Sequence, residues 1–130
     1  MIELILHGIG DYYLQTDWQA LNKKKNNWAC FKHCLTYSLP FLFIASWKAW
    51  IIIFITHYII DRTKLVDYLI AIKNNTVKYV KIDEYNDGLE YDISNFGFSI
   101  ERPFVISFWL YVICDNLLHI ICNHLALKYL

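Results

Sequence analysis

The sequence predicts a mainly α-helical fold, about four membrane-embedded helices in a bundle, with a small polar β-hairpin inserted before the last. Three observations carry this. Hydrophobic residues make up 57% and charged residues 18% of the 130 residues, against roughly 45–50% and roughly 25% in soluble domains. Apolar residues recur at helical spacing through four segments. Residues 74–101 alone change period and charge, with two Lys against six carboxylates in a chain that is neutral overall. The length predicts a single domain, 1–130, and excludes a multidomain enzyme. With no overall basic field, no nucleic-acid partner is expected.

Helix one, about Ile2 to Leu21, carries apolar residues on most faces but sets His7, Asp11 and Gln15 at i, i+4, i+8, which places them on one stripe. Its first residues lack the positive n-region and small-residue cleavage site of a signal peptide. The turn Asn22-Lys-Lys-Lys-Asn-Asn27 follows. Its triple lysine suits a cytoplasmic membrane face under the positive-inside rule, and equally a solvated loop of any bundle.

Helix two, about Trp28 to Ile44, and helix three, about Trp47 to Ile72, meet near Ser46, a candidate N-cap. The charge-free run Leu35–Trp47 has 13 residues and Ala49–Ile60 has 12, each shorter than the roughly 20 needed for a span. The expectation is a hairpin of short helices dipping into the bilayer, with Trp47, Lys48 and Trp50 at an interface. Beyond Asp61 the pattern is amphipathic and suits the membrane surface. Thr76–Ile82 and Leu89–Ile93 alternate about Asn86-Asp87-Gly88, the pattern of a β-hairpin outside the membrane. Pro103 suits the first turn of helix four, about Pro103 to Lys128, long enough to cross.

The four cysteines, Cys30, Cys34, Cys114 and Cys122, lie in apolar helical stretches without CxxC spacing and are expected to be buried, reduced thiols. HExxH, Walker, GxGxxG and GxSxG motifs are absent from the sequence.

The chemistry lies in one arrangement that recurs on three helices: His7–Asp11, His57–Asp61 and Asp115–His119, each an imidazole and a carboxylate at i, i+4 on one face. An ionised Asp in apolar sequence costs several kcal/mol unless compensated. A divalent ion (Zn, Mn or Fe) compensates it directly, and facing helices can deliver such ligands to a bundle centre. Three His and three Asp suit one or two ions, and a two-ion site about 3.5–4 Å apart is the device many hydrolases use to generate a nucleophile. Connectivity brings Asp11, Gln15, His33, His57 and Asp61 toward one end of the bundle. His33 is then a further ligand or a proton shuttle, and Gln15 and Asp17 orient ligands. The residues expected to take part in catalysis are Asp61, His33 and Gln15. Other readings of the same pairs are ordinary helix-surface pairs, a buried polar network or a proton path. His124 suits an interfacial position near the chain end.

The segments His7-Gly-Ile-Gly-Asp11-Tyr-Tyr-Leu-Gln15-Thr-Asp17-Trp, Trp28 with His33, Thr56-His57-Tyr-Ile-Ile-Asp61 and Asp115-Asn-Leu-Leu-His119 resemble the domain-of-unknown-function family numbered 3307, small membrane proteins of bacteria and phages. The resemblance covers about residues 1–64 and 103–125. More distantly the chain is similar to membrane-bound predicted metal-dependent hydrolases. The resemblance implies a membrane-embedded helical domain with a metal site, and the acidic hairpin departs from the compact family pattern. Ile, Lys, Asn and Tyr are abundant, as an AT-rich or phage genome would give.

The leading expectation is a metal-dependent hydrolase of the bacterial inner membrane, or of a phage-infected host, acting on a lipid-linked or phosphorylated substrate. His7, Asp11, His57, Asp61, Asp115 and His119 would be its metal ligands and membrane lipids its surroundings. A second reading is a non-enzymatic membrane protein whose His–Asp pairs form a proton or ion path or a structural network. A third is a soluble helical adaptor. Residues 74–101 are the expected surface for a protein partner or a homo-oligomer.

Overall fold

The computed structural model describes residues 1–81 and 87–130. The fold is mainly helical, with six α-helices and one two-stranded antiparallel hairpin among the described residues. Two compact units divide the chain: residues 1–63 with 116–130, and residues 64–115.

In the first unit the expected helix one is three pieces. α1 (Ile2–Gly8) runs into a π-helical segment, Ile9–Tyr13, closed by Leu14 N–H donating to the Ile9 carbonyl at 2.9 Å. The chain then breaks, and α2 (Asp17–Asn22) restarts behind Thr16, whose hydroxyl accepts from the Gln19 amide while the Gln19 side chain accepts from the Thr16 amide. This reciprocal box satisfies two orphan donors and fixes the new start. α3 (Asn27–Ser38) starts at Asn26, whose side-chain oxygen accepts from the Trp28 and Ala29 amides. It ends in a 3₁₀ turn, Leu39–Phe43, because Pro40 has no N–H to continue the ladder. α4 (Trp47–Arg62) starts at Ser46, which accepts from the Ala49 amide as a Ser N-cap should. Helix three therefore does not reach Ile72. Thr63 turns extended, at φ −107 and ψ 176, after its hydroxyl donates to the Ile59 carbonyl at 2.7 Å. The core of this unit is Tyr37, Phe41, Ala49, Ile53 and Ala126, with Trp50 packed beside it and donating through Nε1 to the Ser38 carbonyl at 2.9 Å.

The second unit holds α5 (Leu65–Asn74), β1 (Val77–Lys81), β2 (Asp87–Tyr91) and the first half of α6 (Phe104–Tyr129). α5 buries Val66, Ile70 and Ala71 and ends at Asn75 in the left-handed conformation, φ 52, a usual helix stop. The strands pair with Val77 opposite Tyr91 and Lys78 opposite Glu90. Of the expected turn Asn86-Asp87-Gly88, Asn86 lies outside the described residues, as do Ile82 to Tyr85. α6 begins directly after Pro103, whose carbonyl accepts from the Ile106 and Ser107 amides. Gly97 has φ 78, and a Cβ there would meet the Asp67 carbonyl oxygen and approach the Ala71 nitrogen to 2.6 Å. Gly97→Ala is expected to cost about 2–4 kcal/mol through left-handed strain plus overlap, readable as a lowered chemical-denaturation midpoint.

Among the described residues, α6 is the one helix long and apolar enough to cross a membrane. Its 26 residues extend about 39 Å at 1.5 Å each, against roughly 30 Å of hydrocarbon. The four helices expected in the membrane thus reduce to one of spanning length, because breaks at Tyr13–Asp17, Pro40 and Thr63 shorten the others.

Candidate metal centre

Four side chains of the first unit converge on one point. Asp11 comes from the π-helical segment, His33 from the second turn of α3, and His57 and Asp61 from successive turns of α4. All four are buried. His33 Nε2 lies 3.1 Å from Asp11 Oδ1, 3.0 Å from Asp61 Oδ2 and 3.0 Å from His57 Nε2. His57 Nε2 lies 3.1 Å from Asp61 Oδ2 and 4.0 Å from Asp11 Oδ1. One ligand atom from each residue falls within 4.8 Å of the other three.

Metal–ligand bonds of about 2.0–2.1 Å at tetrahedral angles put neighbouring donors about 3.3 Å apart. The observed edges of 3.0–4.0 Å bracket that value. Two imidazoles and two carboxylates also make a donor set that Zn²⁺, Mn²⁺ and Fe²⁺ accept, neutral once a divalent ion is counted. Spacing and chemistry therefore fit an ion. The imidazoles lack one customary support, since neither His33 Nδ1 nor His57 Nδ1 has a hydrogen-bond partner among the described residues. Packing holds His57 instead: the Tyr37 ring stacks on it at 3.5 Å between centroids and 17° between planes.

A cation already stands at this point. Lys23 Nζ lies 3.0 Å from Asp61 Oδ2, 3.4 Å from Asp11 Oδ1 and 3.5 Å from His33 Nε2. Burial pushes the Asp11 carboxyl up, but the His33 hydrogen bond and the Lys23 charge outweigh it and hold the group below the ordinary carboxylate range. The same contest leaves Asp61 well below that range, against its burial. For His33 burial pulls the pKa down, while hydrogen bonds to Asp11 and Asp61 raise it above 6.5.

Because the folded pKa of His33 is raised, its protonated form contributes stability that is complete below 6.5 and lost as pH rises through the folded value. A metal ligand must be the neutral imidazole, so loading below the folded pKa of His33 is expected to release its proton, and metal affinity is expected to rise with pH. Calorimetric titrations in buffers of different ionisation enthalpy would read that release, and zero release would contradict the assignment.

The other residues singled out in the sequence lie as follows. His119 borders the cluster, with Nε2 3.7 Å from Asp61 Oδ1 and its ring edge-on to His57 at 4.2 Å. Asp115, one turn earlier on α6 and half-buried, falls in the second unit. His7 is not among the four converging donors. Its Nε2 meets Asn116 Oδ1 at 2.6 Å and its Nδ1 meets the Tyr37 hydroxyl at 2.9 Å. An amide oxygen can only accept, so the proton is on Nε2 and Tyr37 donates to Nδ1, while Asn123 donates to the Tyr37 hydroxyl at 2.6 Å. The expected His7–Asp11 pair is loosened to 3.9 Å, because the π-helical segment turns Asp11 away from the phase an α-helix would give. Gln15 sits in the break before α2 with Oε1 buried and no hydrogen-bond partner among the described residues, and Asp17 is exposed. His124 is largely exposed and meets Glu3 at 2.8 Å. Cys30 and Cys34 are buried thiols 3.8 Å apart, and Cys114 and Cys122 are half-buried.

Sequence reasoning missed Lys23 and Tyr37. Tyr37 was open to it, four residues after His33 and so on the same face of α3. Lys23 had no local signal, since nothing distinguishes it from Lys24 and Lys25 except where the turn places it.

Residues 1–128 match the family described as "Protein of unknown function (DUF3307)". No curated protein and no solved structure matches the chain.

Proposed function

The chain belongs to the DUF3307 family, and we propose that it is a membrane-embedded, metal-dependent hydrolase whose Asp11, His33, His57 and Asp61 hold a single divalent ion. The observation that carries this reading is the convergence of four buried donor atoms at ligand spacing. Such an ion supplies Lewis acidity for hydrolysis. The protein's own residues do the rest: α4 fixes His57 and Asp61 one turn apart, Tyr37 holds the His57 ring, and His119 lines the Asp61 Oδ1 side.

Support for the membrane setting comes from α6 and from exposed apolar side chains. Ile51, Ile52, Ile55 and Ile59 on α4 and Val105, Trp109, Ile113, Leu117, Ile121 and Leu125 on α6 are all exposed, and runs of exposed apolar side chains mark contact with a membrane or a partner. A centre carried by such helices meets lipid-linked substrates first, and phosphoryl oxygens suit a divalent ion. The proposed substrate is therefore a lipid-linked phosphoryl compound of the bacterial inner membrane.

The test is elemental analysis of detergent-purified protein beside His57→Ala. The expected result is about one equivalent of Zn, Mn or Fe in the parent, lost in the variant. Equal metal content in both proteins, or none in the parent after reconstitution, would overturn the reading.

One observation favours a second reading, a non-enzymatic polar network. Lys23 Nζ lies against both Asp11 and Asp61, and His33, whose pKa those carboxylates raise, can carry the second balancing charge. A parent that stays metal-free while Asp61→Asn lowers its thermal stability would favour that alternative.

A further inference from the structure

We infer that Lys23 is a built-in competitor for the metal: its ammonium occupies the centre in the metal-free protein and must leave when an ion enters. This inference rests on the metal-site reading and adds how loading of that site is controlled.

Position is the first ground. Lys23 Nζ reaches three of the four proposed ligand residues at 3.0–3.5 Å. A divalent ion bound to the same atoms would stand within a few ångströms of the ammonium, a like-charge approach that costs several kcal/mol at the effective dielectric of a partly buried site. Both cations cannot hold these atoms together.

The second ground is that the turn is built to put this lysine there. The Lys23 amide donates to the Gln19 carbonyl at 2.8 Å, closing α2, and the Asn26 amide donates to the Asn22 carbonyl at 2.8 Å. Asn26 caps α3 immediately after. Arg62, the neighbour of Asp61, donates through a terminal guanidinium nitrogen to the Lys24 carbonyl at 2.8 Å and through Nε to Asn27 Oδ1 at 2.6 Å. The backbone of the turn is thus tied to the helix that carries two of the ligands. Of its three lysines, Lys24 and Lys25 are exposed, whereas the Lys23 side chain is 15% exposed.

The third ground is the way out. A lysine side chain has four rotatable methylenes, and Lys23 sits at the rim of a cluster whose other members are 0–8% exposed. Its head can swing to solvent by rotamer change alone while the turn stays in place. The metal-free centre is thereby kept assembled without two carboxylates facing each other unbalanced.

The experiment measures Zn²⁺ and Mn²⁺ dissociation constants by calorimetry on chelator-stripped parent, Lys23→Met and Lys23→Arg. Removing a competing charge that interacts with about one ion pair's strength is expected to tighten binding about fivefold in Lys23→Met. Lys23→Arg, which keeps the charge, stays at the parent affinity or weaker. Because Lys23→Met can fold poorly without metal, the parent is tested independently by amine acetylation mapped by mass spectrometry. The Lys23 labelling rate relative to Lys24 and Lys25 is expected to rise on metal addition. Parent-like or weaker metal affinity in Lys23→Met, or Lys23 labelling that is unchanged or lower on loading, would overturn the inference while leaving the metal site standing. Absence of metal binding in all three proteins would overturn both.

Discussion

Asp61→Asn is expected to weaken divalent-metal binding by about a thousandfold. Structural sites with four protein ligands bind zinc with about 10–16 kcal/mol, so each ligand carries about 2.5–4 kcal/mol, which is roughly two to three powers of ten. Asp61 stands at the upper end of that range for geometric reasons. Its Oδ2 is the atom that His33 Nε2, His57 Nε2 and Lys23 Nζ all approach within 3.1 Å, and its Oδ1 faces His119. The amide of Asn has the same shape but no charge, and it presents N–H groups toward nitrogen donors on one side. Burial makes the loss larger, because no solvent reaches Asp61 to replace the missing charge. The substitution is nearly isosteric, so helix content and membrane extraction should match the parent's, which separates loss of the site from loss of the fold. Competition with a chelating dye reads the affinity. A variant that keeps parent affinity would remove Asp61 from the ligand set and with it the centre as described.

How much of this was legible in the sequence differs from residue to residue. His57 and Asp61 lie on one unbroken helix, where spacing alone sets which side chains meet, and they meet at 3.1 Å. The same spacing pairs His7 with Asp11, which the structure holds more loosely, at 3.9 Å. The π-helical segment between Ile9 and Tyr13 changes the phase after His7, and no residue type there announces it. The restart at Thr16 was readable from Thr16 and Gln19, a capping box in plain sequence. The end of α4 at Thr63 was not, since neither Gly nor Pro marks it and tertiary packing decides it. The hairpin could be read because alternation is a local signal. Lys23 could not, because its role depends on a turn tied down by Arg62, thirty-eight residues beyond Lys24 in the chain. The family match reaches from residue 1 to 128, further than the motif-bearing segments, so the acidic hairpin lies inside the family's extent.

Gly10 makes the close packing of this segment on α3 possible, and Gly10→Ala is expected to cost about 3 kcal/mol of stability through overpacking. A Cβ at this position would stand 2.6 Å from Tyr37 Cδ2, 2.9 Å from the Tyr37 carbonyl oxygen and 3.1 Å from its Cα. Two of those three atoms are backbone of α3, so a side-chain rotation cannot relieve the overlap. Either the π-helical segment moves off α3 or Tyr37 moves. The first displaces Asp11, the next residue in the chain, and the second removes the ring that stacks on His57. Both routes damage the centre, so metal affinity should fall together with stability, and metal should rescue less of the melting temperature than in the parent. Gly8 is the internal control. It also lies in this helical stretch, but a Cβ there meets nothing within 4 Å. Gly8→Ala should then stabilise by about 0.5–1 kcal/mol through helix propensity and leave metal binding unchanged. Denaturant midpoints and dye-competition affinities for the two variants decide the matter. A Gly10→Ala protein as stable and as metal-competent as Gly8→Ala would show that Asp11 does not reach the centre by the close approach of these two helices.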